Sequence, residues 1–172
     1  MSGTPYRIRR LDVTDAHIFR PVRLAALLLH PEAYGAAYEE EIQVPLDDLA
    51  RRLLLPPVTM FGGFVGHSLV GVTGLLQETR MKTRHRASVF TVYVDAAHRG
   101  GGLGAALVEQ AVAHARATGV RVVHLTVTVG NAGARRVYER LGFRGIAIEP
   151  RALLVNGTFY DNEHMMLDLD RL

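Results

Sequence analysis

His98-Arg99-Gly100-Gly101-Gly102-Leu103-Gly104-Ala105-Ala106-Leu107 places three consecutive glycines, and a fourth two residues later, just ahead of a segment with helical periodicity. Glycine costs roughly 0.5–1 kcal/mol against alanine inside regular structure. Such a cluster points to backbone that must lie where side chains would obstruct. Upstream, Ser88-Val-Phe-Thr-Val-Tyr-Val94 is apolar or aromatic at most positions, as in a strand covered on both faces. Downstream, Leu103, Leu107, Val108, Ala111 and Ala115 form one apolar stripe, predicting a helix to about Thr118 with Gly119 as its stop. A strand, a glycine-rich turn and a helix start together make an anion site. Free N–H groups point out of the turn, and the helix dipole adds about half a positive charge. The alternative is a close helix–strand contact that only glycine permits.

The surrounding chain is mixed α/β. Tyr6–Arg10 reads as a strand, and Asp15 as the cap of a helix to His30 that Pro21 must kink or delay. Residues 31–41 are ambiguous between helix and loop, and 45–54 read as a helix with Pro45 in its first turn. Strands at 60–65 and 69–76 enclose a tight turn, and another strand covers 120–129. Asn131 caps a short helix carrying Ala134, Val137, Tyr138 and Leu141, which Gly142-Phe143 ends in the Schellman manner. Two final strands turn at Asn156-Gly157, giving a partly antiparallel sheet.

With 172 residues, no internal repeat and no long linker, a single domain spanning 1–172 is expected. The absence of cysteine excludes disulfides, thiolate metal sites and thiol nucleophiles. The beginning of the chain lacks the apolar core of a secretion signal, and no apolar run approaches a membrane span, so the cytoplasm is the expected compartment and no membrane a partner. The net charge of +3 is scattered apart from Arg80–Arg86, which argues against a nucleic-acid partner. None of His17, His30, His67, His98, His114, His124 and His164 has metal-ligand spacing, and they read as structural or solvated.

Three phosphate-binding designs compete for the glycines. A P-loop needs Lys followed by Ser or Thr, where Ala105-Ala106 stands. Gly100 to Ala105 satisfies G-x-G-x-x-A, but the next strand ends Thr-Val-Thr-Val-Gly-Asn without the acid that would hold a dinucleotide's ribose. The third design is an acyl-CoA site. Arg99–Gly104, with the pattern R-x-x-G-x-G, and Asn131–Phe143, with N-x-x-A-x-x-x-Y-x-x-x-G-F, together resemble the GNAT N-acetyltransferase superfamily, in a subgroup of unassigned substrate.

The resemblance implies an acyl-CoA acyltransferase fold: a mixed, mostly antiparallel sheet splayed between two parallel strands, with helices on both faces. It implies acetyl-CoA as co-substrate, no metal, and direct transfer to a primary amine of a small molecule or peptide. Arg99, Gly100, Gly101, Gly102, Leu103, Gly104 and Ala105 would hold the pyrophosphate, and Val92, Tyr93 and Val94 would lie along the pantetheine arm. Seven helical residues turn by about 700°, so Asn131 and Tyr138 project on nearly one side, roughly 10 Å apart. Asn131 would then bond the arm, and Tyr138 would act as general acid toward the departing thiolate. Where relatives place a Glu or His base, Ser88 stands, and Glu78, His85, Asp161 and Glu163 are the nearby alternatives. Tyr34, Tyr38, Glu39–Glu41, Glu149 and Arg151 would face the acceptor, and a homodimer is expected by analogy alone. The alternatives are a non-catalytic acyl-CoA-binding or sensor module, favoured by Ser88, and a nucleotide-binding oxidoreductase.

Overall fold

In the computed structural model, residues 6–171 are described. Residues 1–5, part of the stretch read for a secretion signal, and Leu172 lie outside the described residues. The chain runs β1 (Arg7–Arg10), α1 (Ala16–Leu29), α2 (Tyr38–Glu41), α3 (Leu46–Leu53), β2 (Val58–Val65), β3 (Ser68–Gln77) and β4 (Arg86–Val94). Then come α4 (Leu103–Ala117), β5 (Val122–Thr128), α5 (Ala132–Arg140), β6 (Arg144–Val155) and β7 (Thr158–Asp168). The strands form one seven-stranded sheet in the order β1-β2-β3-β4-β5-β7-β6.

Local chemistry explains the boundaries. Asp12, not Asp15, caps the turn before α1: its carboxylate accepts from the Thr14 N–H at 2.8 Å, while Asp15 accepts from the Asp12 N–H at 3.0 Å. Asp15 is instead gripped by Arg9 through two bonds of 2.7 Å. α1 begins ahead of Pro21 and runs through it, so the proline does not delay the helix. The ambiguous 31–41 segment resolves into a 3-10 turn at Pro31–Ala33, an extended stretch, and α2. After α4, Gly119 (φ 81°) closes a Schellman motif in which the Val120 N–H bonds Ala115 O at 2.9 Å. That motif keeps Val120 and Arg121 out of β5. The β6–β7 hairpin turns at Asn156 (φ 48°) and Gly157 (φ 79°), the left-handed pair that a two-residue hairpin prefers.

Both sheet faces are covered. On one, Leu103, Leu107, Ala111 and Ala115 of α4 pack against Val89, Val123, Leu125 and Met165. On the other, Phe19 and Ala26 of α1 and Leu49 of α3 pack against Met60, Phe64, Val72 and Tyr93. Each such large side chain contributes about 1.5–3 kcal/mol by leaving water. α4 approaches closely because two strand glycines make room. A Cβ at Gly63 would lie 2.7 Å from Leu103 Cδ1, and one at Gly71 3.1 Å from Leu107 Cδ1. The glycines that close packing requires are therefore on β2 and β3.

Two irregularities shape the middle of the sheet. β4 and β5 pair in parallel only at Arg86–Val122, Ala87–Val123 and Ser88–His124, then diverge. β4 also carries a bulge against β3: Gly74 faces Phe90 and Val72 faces Tyr93, so Thr91 and Val92 together oppose Thr73.

Candidate active site

The gap between β4 and β5 opens toward the glycine turn. Gly100 (φ 82°) and Gly102 (φ 83°) are left-handed, a conformation that glycine takes without strain, and Gly102 stands at the N-terminus of α4. Ala106 makes the first intrahelical bond, to Gly102 O at 3.0 Å. Among the described residues, the N–H groups from Gly100 to Ala105 have no internal acceptor. Cβ atoms at Gly100 and Gly101 would meet nothing within 4 Å, so the turn is open on its outer side. This cradle fits an anionic phosphate group. Leu103 offers only backbone to it, since its side chain is buried beneath α4. Arg99 does not project freely: its Nε donates to Val94 O at 2.8 Å and its Nη2 lies 2.9 Å from His30 Nε2.

The bulge governs how β4 faces the gap. Val89 and Val92, three residues apart, both pack with the α4 core, which a regular strand's alternation forbids. The extra residue is Thr91, whose φ of 51° is exceptional for a β-branched side chain and costs about 1–3 kcal/mol unless its surroundings fix it. Here they do. Arg23 Nη1 of α1 donates to Thr91 Oγ1 at 2.6 Å, and Arg23 Nε donates to Glu41 Oε1 at 3.2 Å. All three residues are buried. One position further, the Tyr34 hydroxyl donates to Val92 O at 2.9 Å, and burial pushes the Tyr34 phenol far up. Across the gap, Thr128 Oγ1 of β5 donates to Glu32 O at 2.7 Å. Residues 32–41 thus bind both lips of the opening.

Tyr138 enters from α5. The sequence Tyr138-Glu-Arg-Leu-Gly-Phe143 fixes it: Gly142 (φ 93°) ends the helix, the Phe143 N–H bonds Tyr138 O at 3.0 Å, and the two rings meet edge-on at 6.2 Å. Burial pushes the phenol up to about 12, so it holds its proton at neutral pH. Its hydroxyl donates to no other residue among those described. Asn131, at the far end of α5, is exposed and accepts from the Ala134 N–H at 3.2 Å, as its capping role requires.

The acceptor-side residues divide. Tyr34 is committed to Val92 O rather than standing free. Tyr38 opens α2 half-buried and Glu39 and Glu40 are exposed, while Glu41 is buried on Arg23. Glu149 pairs with His164 at 2.8 Å, and the Arg151 guanidinium lies 3.8 Å over the Phe159 ring. Ser88 sits at the last rung before the gap, facing His124, which burial keeps below the usual histidine range. Of the alternative bases, Glu163 is held by Arg135 at 2.7 Å, Asp161 accepts the Arg151 N–H at 2.7 Å, and Glu78 takes a long bond from Thr83. His85 is exposed. No group of residues that could hold a metal ion occurs among the described residues, and no helix is long and apolar enough to cross a membrane. His30, which reads in the sequence as structural or solvated, meets Arg99 here. Arg23, Thr91 and Thr128 have no role legible in the sequence, because a lone buried Arg and a Thr in an apolar strand carry no local signal.

The sheet is thus parted at its parallel pair, with a glycine cradle for an anion at the end of β4 and a buried tyrosine on α5. The chain belongs to the acetyltransferase (GNAT) family, whose match runs over residues 25–143. It is 32% identical over 124 residues to the L-methionine sulfoximine/L-methionine sulfone acetyltransferase of Salmonella typhimurium, covering 70% of each chain. To the mycothiol acetyltransferase of Actinosynnema mirum it is 45% identical over 65 residues, 38% of this chain and 22% of that one. The chain thus spans well under half the length of the mycothiol enzymes that it matches. Among solved structures, yncA of Salmonella typhimurium, determined with its cofactor acetyl-CoA, superposes at a TM-score of 0.81 with 25% identity, over 96% of this chain and 95% of that one. A GNAT acetyltransferase of Streptococcus pneumoniae shares the fold at a TM-score of 0.82 and 22% identity, over 95% and 99%.

Proposed function

We propose that the protein moves an acetyl group from acetyl-CoA to a primary amine of a small molecule or peptide by direct transfer, within one domain spanning residues 1–172. The observation that carries this is the parting of β4 from β5 beside the open N–H cradle of Gly100–Ala105. When bound, acetyl-CoA supplies an activated thioester carbonyl. The cradle and the α4 dipole hold its phosphates, with Arg99 able to exchange His30 for a phosphate oxygen. The backbone of Val92–Val94 lies along the arm, and an N–H there polarises the carbonyl as the amine nitrogen attacks. The C–N bond would form as the C–S bond breaks, the proton lost by the amine nitrogen passing to solvent or to the released thiolate, and the Tyr138 phenol would donate a hydrogen bond to the leaving sulfur. Asn131 keeps its amide N–H groups available to the arm while its oxygen caps α5. The similarity to yncA with acetyl-CoA and to a methionine sulfoximine acetyltransferase supports this reading.

A second reading, an acyl-CoA-binding module without turnover, is favoured by Ser88 at the last rung and by the engagement of Glu163 and Asp161 elsewhere. Thermal unfolding with acetyl-CoA, CoA, NADH and ATP in parallel, followed by an amine screen for free thiol, tests both. A ligand at a hundredfold excess over Kd adds about 2.7 kcal/mol, raising the midpoint by roughly 5–10 °C in a domain of this size. That shift with both CoA species and thiol release with an amine are expected. A shift without release would select the binding module. No shift would overturn both readings.

A further inference from the structure

We propose that Arg23 is a positioning residue for the transfer: anchored on Glu41, it holds the Thr91 kink of β4 and thereby sets the direction in which the Val92 peptide faces the gap. The inference rests on the acetyltransferase reading above.

The left-handed position of a β-bulge ordinarily belongs to glycine, which adopts it without strain. Here it is a threonine at φ 51°. What threonine has and glycine lacks is the hydroxyl, and that hydroxyl accepts from Arg23 Nη1 at 2.6 Å. Arg23 and Glu41 are only 6% and 4% exposed, with the Arg52 guanidinium 3.8 Å from the other Glu41 oxygen. A buried ion pair is a poor source of net stability. Its specific effect is geometric, because a planar guanidinium bonded on two edges fixes the point it holds.

That point matters because of strand phase. The bulge turns Val92 toward the α4 face and presents its carbonyl to Tyr34 at 2.9 Å. Tyr34 and Glu41 belong to one segment, on the side where an acceptor would enter. The same segment receives Thr128 of β5 through Glu32 O. Displacement of that segment by an acceptor is therefore transmitted to the backbone that faces the thioester.

Thr91→Val keeps the β-branch and volume but removes the acceptor oxygen, and Thr91→Ser restores it. Two readouts apply: the amide chemical shifts of Val92 and Tyr93 in the free protein, and steady-state kinetics with acetyl-CoA and an accepted amine. Thr91→Val should displace both amides and lower kcat by about ten- to a hundredfold. The KM for acetyl-CoA should stay within about threefold, and Thr91→Ser should recover both readouts. Wild-type shifts and kcat in Thr91→Val, or a Ser variant as impaired as the Val variant, would overturn the proposal. If Thr91→Val does not fold, the paired Arg23→Met/Glu41→Gln variant, which removes both charges together, carries the same expectations. The amide shifts are read without ligand and judge the clamp even if the wild type turns over no acetyl-CoA, a result that would count against the acetyltransferase reading instead.

Discussion

Replacing Tyr138 by Phe removes one oxygen and leaves the ring on Phe143 in place. Burial holds the phenol at about 12, and a reference thiol titrates near 8.5, so complete proton transfer to the leaving sulfur is uphill by roughly 5 kcal/mol. In the proposed transfer, Tyr138 would therefore act by donating a hydrogen bond to developing thiolate charge rather than by surrendering its proton. Such a bond to a charged group is worth about 1.5–3 kcal/mol, or about 10- to 150-fold in kcat. The assay is thiol release at saturating acetyl-CoA, beside thermal unfolding across pH. The raised pKa also gives the sign of a stability effect. Below pH 10 both folded and unfolded states keep the proton, and the contribution is fully present. As pH rises from 10 toward 12 only the unfolded state ionises, and stability falls by about 1.4 kcal/mol per unit. Tyr138→Phe should thus be slower at pH 7, equally stable there, and less sensitive between pH 10 and 12. A loss below about threefold would refute any role for the hydroxyl, and one beyond about a thousandfold would refute the hydrogen-bond account in favour of full acid catalysis.

Two glycines in the turn should separate conformation from space. Gly102→Ala, at φ 83°, should cost about 1–2 kcal/mol, whereas Gly101→Ala, with open space and no left-handed backbone, should leave the unfolding midpoint unchanged; equal losses would refute the distinction. Arg9 holds the Asp15 carboxyl below its usual range, so its contribution is present above pH 3.8 and is lost as pH falls through the lower folded value. Asp15→Asn should therefore be less stable than wild type at pH 7 and should converge with it in acid melts; a constant difference at every pH would contradict this.

What was legible in the sequence followed from local rules. The glycine turn, the Asn131 cap and the Gly142-Phe143 ending each carry their signal within a few residues, and each formed as read. The parting of the sheet follows from the family resemblance, which does not say where it begins; the parallel register ends at Ser88. The clamp was not legible, because Arg23, Glu41 and Thr91 lie up to 68 residues apart and meet only in the fold. Glu41 accordingly looked like part of an acidic wall, when burial makes it a counter-ion. At Asp15 the reason is similar: this capping box holds two acids, Asp12 and Asp15, and only geometry tells which one caps.

The short parallel pairing of β4 with β5 also makes the middle of the sheet its mechanical seam. In most sheets the central strands are the last to open. Here the β1–β4 meander and the β5–β7 unit are each knit by long antiparallel ladders, while three register pairs stitch them together. Local opening free energy follows such cooperative units. Few backbone bonds therefore join the two half-sheets beyond the Ser88–His124 rung, and their union rests on α4, which packs on both, and on residues 32–41, which bond to both lips.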